Sequence, residues 1–142
     1  MSEQIKIHTG LKVYDIVNLD GEKIGVFKFN PNDTGIVRRY EEVLKHLESV
    51  KIEMGNEEEN ENSFDTFIRL EDEVKAQMRY LIGNDSSDVF FEVTGAFSML
   101  PTGELYIEQI IVAIGGLIKS EGENRKKLLR KKIEKYTNKY RK

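Results

Sequence analysis

This chain reads as a mixed α+β protein: an N-terminal antiparallel β-hairpin packed on a mainly helical domain of about four helices, with a basic helix at the C-terminal end. Three observations lead there. Two β-branched and aromatic runs flank Asp20-Gly21, apolar residues then recur at three- and four-residue steps through several long segments, and the charge divides sharply along the chain. Residues 125–142 hold ten of the 22 lysines and arginines and a single acid, Glu134, a net of +9. Residues 1–124 carry 12 basic against 24 acidic side chains, a net of −12, so the overall −3 hides two opposed fields. A split of this kind assigns the tail a role distinct from the body's, either gripping an acidic partner or folding back on the chain's own acidic surface.

At 142 residues one domain is expected, spanning 1–124, with 125–142 as a separate basic amphipathic helix. The absence of cysteine excludes disulfides, thiolate metal sites and a cysteine nucleophile. Met1-Ser2-Glu3-Gln4 is not a basic region leading into an apolar run, and the longest apolar stretch, residues 110–118, is about half of what a bilayer crossing needs. The expected setting is the cytoplasm, with no membrane partner.

Val13-Tyr14-Asp15-Ile16-Val17-Asn18-Leu19 and Ile24-Gly25-Val26-Phe27-Lys28-Phe29 predict a hairpin over 11–30, since Asp-Gly suits the positive φ angles of a tight turn. Ile5-Lys6-Ile7 alternates too and is available as a third strand; without it the hairpin must lie on helices, because two strands alone are marginal in water. Asn30-Pro31-Asn32-Asp33-Thr34 stops the strand and offers N-cap side chains to a helix over about 34–54. Its stripe is Ile36, Val37, Tyr40, Val43, Leu44, Leu47, Val50 and Met54, and Gly55 is its expected end. Residues 55–62 are acidic and lack apolar side chains, so they read as a solvated loop.

Ser63 begins a second helix over 63–82, with Phe64, Phe67, Ile68, Val74, Met78, Leu81 and Ile82 on one face and Gly83-Asn84-Asp85 ending it. Ser86-Ser87-Asp88 caps a short third helix, about 87–94, whose Phe90 and Phe91 are core plugs. After a loop over 95–103 containing Pro101, a fourth helix over about 103–120 carries Tyr106, Ile107, Ile110, Ile111, Ile114, Leu117 and Ile118 around much of its circumference. It is therefore the expected central, most buried element. Gly115-Gly116 inside it suggests a close helix crossing. Ser120-Glu121-Gly122-Glu123-Asn124 is the expected break before the tail, where Leu129, Ile133, Tyr136 and Tyr140 recur at steps of four, three and four.

Chemistry is hard to build from these residues. His8 and His46, the two histidines, lie outside any zinc spacing, and Asp20-Gly21-Glu22 lacks the alternating oxygens and closing Glu of a calcium loop. Glu71-Asp72-Glu73 fans outward on a helix and cannot converge on one proton or metal. Ser63, Ser86, Ser87, Ser98 and Ser120 lack a nucleophile-elbow context, and no glycine-rich phosphate loop exists. The expectation is a non-enzymatic protein with no catalytic, metal or cofactor residues.

The candidate site is the tail: Arg125, Lys126, Lys127, Leu129, Arg130, Lys131, Lys132, Ile133, Tyr136, Lys139 and Tyr140 as partner-binding residues. Two readings compete. The stripe can dock on the bundle while its lysines stay solvated, or the helix can engage another macromolecule, its cations on phosphates or acids and its tyrosines on bases. The −12 body repels nucleic acid, which favours a protein partner or a second copy.

Val26-Phe27-Lys28-Phe29-Asn30-Pro31-Asn32-Asp33 leading into Arg38-Arg39-Tyr40 resembles the small tail assembly chaperones of long-tailed phages and prophages of Gram-positive bacteria. Leu81-Ile82-Gly83 before Val89-Phe90-Phe91 is similar to that group's turn before a short aromatic helix, and Lys135-Tyr136-Thr137-Asn138-Lys139-Tyr140 resembles its ending. Asn84-Asp85-Ser86 departs from the pattern, where a second glycine is expected. The resemblance implies a chaperone that binds tape-measure and tail-tube proteins before the tube polymerises, and that self-associates. A structural tail protein is the alternative nearest to it. From other classes come a nucleic-acid-binding accessory protein using residues 125–142, and an acidic inhibitor of a host enzyme presenting Glu57-Glu58-Glu59.

Overall fold

The computed structural model describes residues 2–57 and 63–140, with side chains except at 56, 57, 63 and 136–140. The fold is α+β, with β1 (Lys12–Val17), β2 (Lys23–Phe29), α1 (Ile36–Glu57), α2 (Ser63–Ile82), α3 (Asp88–Val93) and α4 (Tyr106–Tyr140) in order, and a 3₁₀ turn, Asp85–Ser87, before α3.

β1 and β2 form the hairpin, pairing Lys12 with Phe29, Val13 with Lys28 and Tyr14 with Phe27. Only Gly21 takes a positive φ at its tip, +85°. The Gly21 amide donates to the Asn18 carbonyl at 3.0 Å and the Asn18 amide to the Glu22 carbonyl at 2.9 Å, while Asn18 Oδ1 accepts from the Asp20 and Glu22 amides. The loop is thus a wider turn closed by one left-handed glycine, where Asp20-Gly21 alone suggested a two-residue turn with two. Ile5-Lys6-Ile7 does not form a third strand; among the described residues the sheet has two. The hairpin accordingly rests on helices. Phe27 and Phe29 are buried, Tyr14 stacks on Phe27 and lies tilted against Phe29, each at 5.3 Å, and Phe27 meets Phe90 of α3 at 5.1 Å.

Asp33 starts α1: its carboxylate accepts from the Gly35 amide at 3.0 Å and its carbonyl from the Ile36 amide. Arg39 pairs with that carboxylate at 2.8 Å and also reaches the Leu81 carbonyl at the end of α2. The amide bond and then the Arg39 guanidinium hold the Asp33 carboxyl below its usual range. Gly55 does not end α1, which runs on through Glu57. Glycine only weakens a helix by about 1 kcal/mol, and no proline follows to stop it. The rest of the expected acidic loop, residues 58–62, lies outside the described residues.

The expected stripes are partly displaced. Ile36, Val43, Leu47 and Val50 are buried on α1, but Val37 and Leu44 are exposed. On α2 the buried face is Leu70, Val74, Met78, Leu81 and Ile82. Leu70 takes the place expected for Phe64 and Ile68, and Phe64 is 83% exposed. Counting back from Met78 and Val74 by fours reaches Leu70, so the buried phase is set where α2 meets the rest of the core. Gly83, at φ +87°, closes α2 through its amide to the Arg79 carbonyl at 2.8 Å.

Asn84, more than the serines, caps the next turn, accepting from the Ser86 amide at 2.8 Å. Phe90 is buried as expected, whereas Phe91 is only half-buried. The loop before α4 contains a small β-bridge between Met99 and Leu105. Its turn repeats the hairpin tip: the Gly103 amide donates to the Leu100 carbonyl and the Leu100 amide to the Glu104 carbonyl.

Candidate partner-binding surface

Leu105 and Glu108 set the start of α4, the Leu105 amide donating to Glu108 Oε1 at 3.1 Å and the Glu108 amide to the Leu105 carbonyl. Lys51 of α1 also donates to Glu108, at 2.8 Å, and with the Leu105 amide it lowers the Glu108 pKa. From there Tyr106, Ile107, Ile110, Ile111 and Ile114 are buried. The Tyr106 hydroxyl donates to the Phe90 carbonyl at 2.7 Å and the Tyr40 hydroxyl to the Ile111 carbonyl at 3.0 Å. Burial raises the pKa of both phenols.

Gly115 is the place where α1 comes close. A Cβ there would lie 2.8 Å from Tyr40 Cζ and nearer still to its oxygen. Gly116, expected to share this role, faces open space.

The expected break at 120–124 does not occur: one helix of 35 residues, about 52 Å at 1.5 Å per residue, runs through it. What changes there is the surroundings. Glu121 forms an ion pair with Lys12 of β1 and accepts from Asn32 Nδ2 at 3.1 Å. The Lys12 bond, with Asn32 assisting, holds its carboxyl below the ordinary range. Beyond Gly122, every residue from 123 to 135 is exposed. The helix therefore leaves the body as an arm.

Leu128 and Leu129 are 67% and 48% exposed, and Ile133 is exposed as well. Sevens from Ile114 reach Glu121 and Leu128, so the arm's apolar side continues the face that α4 buries at its root. Arg125, Lys126, Lys127, Arg130, Lys131 and Lys132 are all exposed, and at 100° per residue they surround most of the circumference. The side chains of Tyr136, Lys139 and Tyr140 lie outside the described residues.

Two hollows adjoin this helix, each about 350 Å³. One, at the arm's root, is lined by Asn32, Glu121, Asn124, Arg125, Leu128, Leu129 and Lys132. The other lies along α1 and α4, lined by Leu44, Leu47, Ile111 and Val112 together with Lys45, Glu48 and the Lys51–Glu108 pair. Sequence reasoning missed both this groove and Glu121. Glu121 had a signal, an acid on the apolar phase of the helix seven residues after Ile114. The groove had none, because its lining joins two helices distant in sequence.

His8 Nδ1 accepts from the Gly10 amide, and His46 Nε2 lies 3.7 Å from Glu73 between α1 and α2. Among the described residues no group of three His, Cys, Asp or Glu side chains is placed to hold a metal, and no helix is long and apolar enough to cross a membrane. Comparison with family models, curated proteins and solved structures finds no match to this chain.

Proposed function

We propose that this protein is a non-enzymatic phage tail assembly chaperone that binds tape-measure and tail-tube proteins in the host cytoplasm before the tail polymerises. One observation carries the reading: α4 projects past the body with Leu128 and Leu129 on solvent, ringed by cations. A helix that keeps an apolar stripe beyond the reach of its own core presents it to another polypeptide, and amphipathic helices pair through such stripes. Tape-measure chains are long and helical, with apolar faces that need cover until assembly. The groove along α1 and α4 offers a second apolar strip for the same client, with a neutral rim of Lys45, Glu48, Lys51 and Glu108. Self-association belongs to this reading, since the +9 segment and the −12 remainder attract between copies.

Co-expression tests it. Soluble yield of a tape-measure fragment should rise with the intact protein and fall back with the Leu128→Asp, Leu129→Asp double variant. Equal yield with and without the protein would refute the proposal.

The exposure of all six cations between 125 and 132 favours a second reading, a grip on nucleic-acid phosphates. That reading requires binding that weakens steeply with salt. A salt-insensitive partner excludes it.

A further inference from the structure

The two outer edges of the hairpin are treated differently. On β2, the Lys28 amide donates to Ser86 Oγ at 3.0 Å, and the Lys28 carbonyl accepts from Asn84 Nδ2 at 2.9 Å and from the Ser86 hydroxyl at 3.1 Å. In an antiparallel ladder, directly opposed residues either exchange both backbone hydrogen bonds or neither. Lys28 faces away from β1, so Val13, its partner in the register, turns its own N–H and C=O outward. Asp15, two residues on, does the same. These groups form the far edge of β1, and among the described residues no strand pairs with it.

The same chain carries a segment patterned as a strand that is not used as one. Ile5 and Ile7 are 88% and 79% exposed on either side of Lys6. The approach to β1 is held at Thr9 and Gly10, beside Asn30. The Thr9 carbonyl accepts from Asn30 Nδ2 at 3.3 Å, and Gly10, at φ +77°, is so close to Asn30 that a Cβ would lie 2.7 Å from that nitrogen. Asn30 follows directly on β2. The chain thus enters β1 from the β2 side, and residues 5–7 do not pair with the opposite edge.

We infer that the open edge of β1 takes Ile5-Lys6-Ile7 of a second copy as its third strand, with the exchange made reciprocally between two chains. Side-chain chemistry agrees with that occupant. Tyr14 and Ile16 sit on the core-facing side of β1 but are only half-buried, so Ile5 and Ile7 extend that apolar side. Lys6, on the other face, then lies beside the exposed Asp15, which pairs with Lys23 at 3.4 Å within the hairpin. A two-fold exchange satisfies both edges at once and leaves neither as a template for open-ended pairing. The strand exchange gives self-association a specific contact, argued from the hairpin alone and independent of the chaperone reading.

Amide exchange on the full-length protein provides the test, because it separates this contact from any dimer made by the arm. With rising concentration, sedimentation should report a dimer, and the Val13 and Asp15 amides should slow by about tenfold or more, while Tyr14 and Ile16, already in the hairpin ladder, change little. Lys6→Pro lies outside the folded core, removes a donor and should return the two amides to their dilute values, whatever mass an arm-mediated contact still supports. Three results overturn the inference: a monomer at every concentration, a dimer whose Val13 and Asp15 amides still exchange freely, or protection that survives Lys6→Pro.

Discussion

The two halves of α4 have nearly the same pattern of apolar spacing and opposite fates. Between Tyr106 and Ile114 the stripe is buried, tied to α1 by the Tyr40 hydroxyl on the Ile111 carbonyl and to α3 by the Tyr106 hydroxyl on the Phe90 carbonyl. Beyond Gly122 the same helical face carries Leu128 and Leu129 into solvent. Periodicity thus marks a surface that will be buried, but not what will bury it. In the root the cover is the chain itself; in the arm, residues 123–135 stay exposed. Glu121 divides the two, bonded to Lys12 and Asn32 of the body.

The largest break in this comparison should come from equal truncations in each half. Ile114→Ala removes a fully enclosed side chain and should cost about 2–5 kcal/mol, whereas Leu129→Ala should stay within about 0.5 kcal/mol, as read by denaturant unfolding. Comparable losses at both positions would mean that the arm packs on the body in solution.

Next come the adjacent glycines of the root. Gly115→Leu forces a side chain against Tyr40 and should destabilise by about 1–3 kcal/mol. Gly116→Ala meets open space and should stabilise the helix by up to about 1 kcal/mol. Thermal melts of the two variants should move in opposite directions.

The smallest effect is local and set by pH. The folded-state pKa of Glu121 lies below its ordinary value of 4.5, chiefly through Lys12, so its contribution is complete above that value and is lost as pH falls through the depressed one. Amide protection around 121–124 should therefore decline on acidification before that of the Ile107–Ile114 turns. Glu121→Gln should remove this step and leave the body's own acid transition, to which Asp33 and Glu108 contribute with the same sign.

Much of the fold was legible because its causes are local. The hairpin register follows from alternation around Asp20-Gly21, and α2 spans the expected 63–82 because Ser63 and Gly83 bracket an unbroken helical run. Local rules failed where context competes with propensity. Gly55 and the 120–124 run are permissive rather than breaking, so helices pass through both. Phe64, Ile68, Val37 and Leu44 satisfy a helical stripe in isolation, yet only one phase of each helix faces neighbours.

By itself, then, the order of residues determined the element types, the turn at Gly21, the cap at Asp33 and the contrast between an acidic body and a basic tail, since each depends on neighbours a few positions away. Tertiary structure alone decided that Ile5-Lys6-Ile7 is left unpaired, that β2 is sealed by Asn84 and Ser86 while β1 is open, and that α4 outruns its core. These outcomes depend on which distant surfaces meet. A stripe or strand edge states only that it can be covered, and the finite size of the packed body determines where that cover stops.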